Sequence, residues 1–170
     1  HFEENGALQK GLRIWVPACA TGEEVYSIAI MLIDRFGPEV RKANIRIYAT
    51  DIDDIALEVA RRGIYPEALV ESLPKKYIFE YFEPQQGGFR IHKWVRDMCM
   101  FARHNVLKDP PFLRMDLISC RNMMIYLGNS AQQSVLASFH YSLSTGGLLF
   151  LGRSESLSGT AQEYFTVIDK

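Results

Sequence analysis

Near its start the chain changes hydrophobic period twice in the same manner. Arg13 to Ala18 (RIWVPA) is a short apolar, β-branched run with the signature of a buried strand, and the loop CATGEE follows it. From Glu23 onward Val25, Ile28, Ala29, Leu32, Ile33 and Phe36 recur at helical spacing until Gly37-Pro38 stops them. Arg46 to Thr50 (RIYAT) then repeats the pattern. A strand ends in Asp51, and Asp53 or Asp54 caps a helix carrying Ile55, Val59 and Ala60 as far as Gly63. Alternating strands and helices require crossover connections, so the expected architecture is a mostly parallel sheet covered by helices on both faces. Ligands in such sheets bind beyond the carboxyl ends of the strands, where the strand order reverses.

The pattern is interrupted in the middle of the chain. Pro66, Pro74 and Pro84 punctuate one or two short helices between Pro66 and Glu83. Gly87-Gly88 then opens an alternating segment, with Phe89, Ile91, Lys93 and Val95 on one face and Arg90, His92, Trp94 and Arg96 on the other, followed by MCMFARHNV. This predicts an inserted antiparallel β-hairpin subdomain over about residues 85–106 within a single domain spanning 1–170. The α/β alternation resumes with the strand DLIS, the loop CRNMMIYL and a helix from about Ser130 bearing Val135, Leu136, Phe139 and Leu143. Gly146-Gly147 is expected to end that helix, LLFLG to form another buried strand, and FTVI a last short one.

Composition excludes several alternatives. A chain of 170 residues is long enough to bury about 70% of its unfolded surface without disulfides or structural metal. Its 19 Lys and Arg against 20 Asp and Glu leave a net charge of −1, so no overall nucleic-acid footprint is present and any polyanion site must be local. Cys19, Cys99 and Cys120 form no CxxC motif, and an odd count argues for a reducing compartment. No apolar run approaches the ~18 residues of a membrane span, and HFEENGALQKG lacks a signal-peptide core. A cytoplasmic domain is the expectation.

Four loops follow strand ends: ACATGEE, TDIDD, HNVLKD and CRNMMIY. In the first, Gly22 beside Ala20 and Thr21 allows close approach to the backbone near a helix start, but GxGxxG is missing. Glu23 and Glu24 suit a cation, such as a sulfonium or an amino acid ammonium, better than a pyrophosphate, which disfavours a nicotinamide dehydrogenase. The simpler reading of the pair is favourable placement on the helix dipole. Asp51, at a strand end, is placed to accept hydrogen bonds from ribose hydroxyls, with helix capping as the alternative. His92, His104 and His140 lack metal-ligand spacing, and Cys19 and Cys120 are expected to pack as small apolar groups.

The strings RIWVPACATGEEVYSIAI, IYATDID, RRGIYP, SCRNMMIYL and LLFLGRSESL resemble the S-adenosylmethionine-binding domain of CheR-type chemotaxis receptor methyltransferases, including those within CheB/CheR fusion proteins. The resemblance runs from about Arg13 to Thr166. It implies a Rossmann-like class I methyltransferase fold and transfer of methyl from S-adenosylmethionine to receptor glutamates, leaving S-adenosylhomocysteine. It places Glu23 in the cofactor loop, Asp51 on the ribose, Asn105 and Val106 beside the adenine, and Arg121 and Asn122 in the loop closing over the cofactor. Tyr126 resembles a tyrosine near the methyl-transfer point, where it and Arg121 would orient the acceptor; without the motif, Tyr126 reads as a half-buried aromatic with a wet hydroxyl. Ser154-Glu155-Ser156 matches a family signature and is assigned to loop structure.

The implied partner is a chemoreceptor's cytoplasmic helical bundle or a similar acidic protein. Arg90, Lys93, Arg96 and Arg103, against the single acid Asp97 between Phe89 and His104, would steer it. The turn EPQQGGF looks shorter than in members that grip a receptor tail by strand addition. Relatives carry an N-terminal helical domain that completes the site, and this chain begins after it. The chain then reads either as a fragment of a longer methyltransferase, in which fused signalling domains are possible, or as a reduced domain; the reading alternative to catalysis is a module that binds S-adenosylmethionine or S-adenosylhomocysteine without turnover.

Overall fold

The computed structural model describes residues 10–155 and 161–168; Ser156 of the Ser154–Ser156 run lies outside them. The elements in chain order are β1 (Leu12–Pro17), α1 (Glu23–Phe36), β2 (Ile45–Asp51), α2 (Asp54–Arg62), β3 (Ile64–Tyr65), α3 (Glu67–Val70), α4 (Lys75–Tyr81), β4 (Phe82–Gln85), β5 (Gly88–Ile91), α5 (Lys93–Arg96), β6 (Cys99–Arg103), β7 (Met115–Cys120), α6 (Asn129–Ser142), β8 (Leu143–Leu151) and α7 (Ala161–Tyr164). Five strands form one sheet in the order β6-β2-β1-β7-β8, and every neighbouring pair runs parallel. β1 lies at the centre with β2 on one side and β7 on the other, so the order reverses there.

Alternation along β1 assigns its two faces. Leu12, Ile14 and Val16 enter a core with Val25, Ala29 and Ile30 of α1, whereas Trp15 enters a second core with Ile118 of β7 and Val135, Leu136 and Phe139 of α6. Trp15 is fully buried, donates its indole N–H to Thr50 Oγ1 at 2.9 Å, and meets Phe139 edge to face at 5.4 Å. The mostly parallel sheet flanked by helices is the expected architecture.

The inserted subdomain differs from the expectation in extent. β3, β5 and β4 make a three-stranded antiparallel sheet in which Phe82–Gln85 pairs with Gly88–Ile91. The period-2 alternation seen beyond Ile91 is an accident of composition: Lys93–Arg96 is one helical turn that buries Val95. Cys99–Arg103, expected in the hairpin, pairs in parallel with β2 as an edge of the main sheet. The basic side chains are accordingly dispersed. Arg90 Nε donates to the Arg62 carbonyl, Lys93 pairs with Asp97 at 2.7 Å, Arg96 donates to the Ile91 carbonyl, and Arg103 lies 3.6 Å from Asp54. Lys93 and Arg103 thus face acids, and Arg103 lies on the main sheet rather than on the hairpin.

Four further expectations are corrected. Leu143 and Gly146-Gly147 belong to β8 rather than to the preceding helix, and β8 is a half-buried edge strand with Phe150 55% exposed. FTVI forms no strand. On α2 the buried pair is Leu57 and Ala60, while Ile55 is 80% exposed, because only one helix stripe faces the sheet.

Asp53 caps α2 as expected, its Oδ1 accepting from the N–H groups of Ile55 and Ala56 at 2.8 and 3.2 Å, and Gly63 ends the helix in a left-handed conformation. Asp53→Ala should therefore lower stability by about 1 kcal/mol in urea unfolding. An unchanged midpoint would remove the cap from the account of why α2 starts there.

Candidate functional site

The loop after β1 is held in an unusual backbone path. Ala18 and Ala20 have φ of 54° and 46°, a region that residues with a Cβ seldom occupy, and Gly22 follows at 91°. The small residue at 22 serves the protein rather than a ligand: a Cβ there would come within 2.9 Å of the Ala60 Cβ and 3.2 Å of the Tyr65 hydroxyl. Tyr65 in turn donates to the Thr21 carbonyl at 2.8 Å. The loop is thus packed from behind against α2 and the small sheet.

Asp51 fastens the same loop from the adjacent strand. Its Oδ2 accepts from Ala20 N–H at 2.8 Å and its Oδ1 from Asp53 N–H at 3.0 Å. It is not the helix cap, a role that belongs to Asp53. An ionised carboxylate has about four lone-pair sites, so roughly two remain for a ligand. Of the two acids that follow Gly22, Glu23 is exposed and accepts from the Thr21 hydroxyl at 2.7 Å. Glu24 is the one turned toward the sheet, accepting from Ser119 Oγ at 2.5 Å with Arg121 Nη1 4.0 Å away.

The end of β6 supplies a third wall. Asn105 N–H donates to Asp109 Oδ2 at 2.7 Å, and Asn105 Oδ1 accepts from Leu107 N–H at 3.0 Å, a tight turn that leaves the side-chain NH₂ as a donor. Val106 packs against the Trp15 core. A cavity of about 500 Å³ beside this turn is lined by Ile52, Arg103, Asn105 and Asp109. Sequence reasoning passed over Ile52 and Asp109 and assigned Arg103 to partner steering. The available signal was Ile52 itself, an apolar residue directly after the strand-end acid, 62% exposed. A second cavity of about 460 Å³, between Pro66 and Phe89 on the small sheet, is lined by none of the residues of the loops at the strand ends. Volume does not separate the two; chemistry does.

The loop after β7 forms the fourth wall. Arg121 lies 5.7 Å from the Phe150 ring centroid, Asn122 has φ of 58°, and a 3₁₀ turn over Met124–Tyr126 buries Met124 and leaves Tyr126 82% exposed. Tyr126 is therefore more exposed than the half-buried aromatic its residue type suggests. Asp51, Asn105, Val106, Arg121 and Asn122 all belong to loops at the carboxyl edge of one sheet, with Glu24 rather than Glu23 bridging toward Arg121.

Burial sets the state of the thiols. It pushes Cys19 up to about 12, with the Asp51 charge adding to the effect, and raises Cys120 as well, with Glu155 contributing. Raised values disfavour the thiolate, so neither thiol is an activated nucleophile at pH 8. Native protein should then resist thiol labelling at pH 8 and label fully once unfolded. Rapid labelling of folded protein at Cys19 or Cys120 would contradict the packing described. Among the described residues, no cluster of His, Cys, Asp and Glu could hold a metal ion, and no helix is long and apolar enough to cross a membrane.

Comparison with known proteins gives this geometry a family. Residues 3–170 match the CheR methyltransferase SAM-binding domain. The chain is 37% identical over 155 residues to the chemotaxis protein methyltransferase of Escherichia coli, covering 86% of this chain and 52% of that one. It is 41% identical over 162 residues to a 104.1 kDa protein of Rhodobacter capsulatus, covering 95% of this chain and 17% of that one. It thus spans about half the length of the Escherichia coli relative or less of a larger one. Among solved structures, the glycopeptide N-methyltransferase MtfA complexed with sinefungin shares the fold with a TM-score of 0.53 at 13% identity, covering 88% of this chain and 46% of that one. The parallel sheet with its reversal at β1, the acid ending β2 and the match over residues 3–170 lead to one conclusion: this chain belongs to the CheR methyltransferase family, of which it is the S-adenosylmethionine-binding domain.

Proposed function

We propose that this domain transfers methyl from S-adenosylmethionine to glutamate carboxylates of a chemoreceptor's cytoplasmic helical bundle, or of a similar acidic protein, in the cytoplasm. Family membership over residues 3–170 is the observation that carries the proposal. The site suits the cofactor in three respects. The two lone-pair sites left on Asp51 match the two ribose hydroxyls. The NH₂ of Asn105 and the apolar side chain of Ile52 at the cavity of about 500 Å³ match the polar edge and the flat face of an adenine. Glu24, with Glu23 outside it, provides the negative potential a sulfonium and an ammonium require. Val106 would meet the adenine through its backbone, since its side chain belongs to the core.

No general base is needed. A glutamate acceptor is already ionised at pH 7, so attack on the sulfonium methyl requires alignment and loss of water rather than proton removal. Arg121 and Asn122 would close over the cofactor. Tyr126, on the same loop, would hold one carboxylate oxygen by its hydroxyl. Being 82% exposed, it leaves the transfer point open to water within these residues. The family's helical domain in a longer protein would cover it.

Calorimetry on the chain should show S-adenosylhomocysteine binding and no NAD binding. Asp51→Ala should weaken S-adenosylhomocysteine tenfold or more, as charge-assisted bonds contribute roughly 1.5–3 kcal/mol each. Unchanged affinity in a folded variant would remove Asp51 from the ribose. Radiolabel transfer to receptor glutamates should be slow with the 170 residues alone and faster in a longer protein carrying the helical domain. In that longer protein Tyr126→Phe should lower turnover more than cofactor affinity. Cofactor binding without transfer there would favour the binding-module reading.

A further inference from the structure

The loop that carries Arg121, Asn122 and Tyr126 is fixed from outside by a single carboxylate. Glu155, beyond the end of β8, accepts three backbone N–H groups: Met123 at 2.9 Å and Met124 at 2.8 Å through Oε1, and Gly152 at 2.7 Å through Oε2. The first two are donors where the loop enters its 3₁₀ turn; the third ties the same acid to the end of the edge strand. The exit of the turn is held from the opposite side, where the Gln132 amide on α6 donates to the carbonyls of Met124 and Leu127, both at 3.0 Å. An acid thus satisfies the turn's entering donors and an amide its leaving acceptors, through side chains from two different elements.

Asn122 sits directly before the clamped residues at a φ of 58°, a conformation that persists only where its surroundings impose it. Gly152, whose N–H is bound by Glu155, lies so near that a Cβ on it would stand 3.4 Å from the Asn122 nitrogen and 3.5 Å from its Oδ1. Releasing Glu155 would free all three N–H groups, two of them on the residues that directly follow Asn122.

We propose that Glu155 is a positioning residue for the cofactor. It sets the backbone of residues 121–126 so that Arg121 and Asn122 meet S-adenosylmethionine, and it does so without touching the cofactor itself. The proposal rests on the reading that Asn122 contacts the cofactor, and the test separates the two.

S-adenosylhomocysteine affinity is measured by calorimetry on the full chain for Glu155→Ala, Glu155→Gln, Asn122→Ala and Asp51→Ala, and for Glu155→Ala combined with each of the last two. Glu155→Ala should weaken binding tenfold or more, while Glu155→Gln, which keeps one acceptor, recovers part of the loss. The decisive readout is coupling. Asn122→Ala should cost clearly less in the Glu155→Ala background than alone, whereas the cost of Asp51→Ala stays the same in both, because Asp51 is held by the first two loops. If Glu155→Ala does not fold, Glu155→Gln in combination with Asn122→Ala provides the same cycle. Affinity within twofold of the parent for both Glu155 variants, or factors for Glu155 and Asn122 that simply multiply, overturns the positioning role. An inert Asn122→Ala overturns the cofactor contact, and this proposal with it.

Discussion

One carboxylate makes the strand ends of β1 and β2 into a shared surface. Asp51 accepts from Ala20 on one loop and Asp53 on the next, and without it nothing among the described contacts would tie the Ala18–Gly22 path to the start of α2 from the front. The loop backbone is costly to hold, with two alanines at positive φ. It persists because Asp51 binds its front, Tyr65 and Ala60 fill the space behind, and the Cys19 N–H donates to the Thr50 carbonyl at 2.9 Å. A site built this way is organised before any ligand arrives, which spares binding the cost of ordering it.

The same logic recurs on the other side of β1. There Glu24 reaches Ser119 at the end of β7, and Glu155 binds the loop that follows. Three acids therefore act largely as acceptors for the protein's own donors. Acidic clustering that reads from sequence as a ligand-facing charge is in large part internal scaffolding, and what faces outward is the remainder of each carboxylate.

Much of this was legible in the chain. β1, α1, β2 and α2 were readable because each change of hydrophobic period coincides with a cap or a glycine: Asp53, Gly37 and Gly63. The region from Gly88 to Arg103 was misread for a physical reason. Four residues of strand followed by one helical turn show the same alternation as a longer strand, and only tertiary contact places Val95 in the core and pairs Cys99 with Ile47. β8 was misjudged because its apolar run lies on a sheet edge, where burial is partial. In the site, Asp51 was visible as a strand-end acid. The roles of Gly22 against Ala60, Glu24 against Ser119, and Glu155 against Met123 all depend on partners more than 30 residues away, which local pattern cannot reveal.

The central claim is that the cofactor occupies the carboxyl edge of the parallel sheet and not the similar-sized cavity on the small antiparallel sheet. Amide chemical-shift mapping during titration with S-adenosylhomocysteine tests it most directly. The account predicts the largest shifts at Ala20, Gly22, Asp53, Asn105 and Asn122, with Glu67, Gln85 and Phe89 unmoved. Shifts concentrated at Glu67 and Gln85–Phe89, with the loops after β1 and β2 silent, would contradict it.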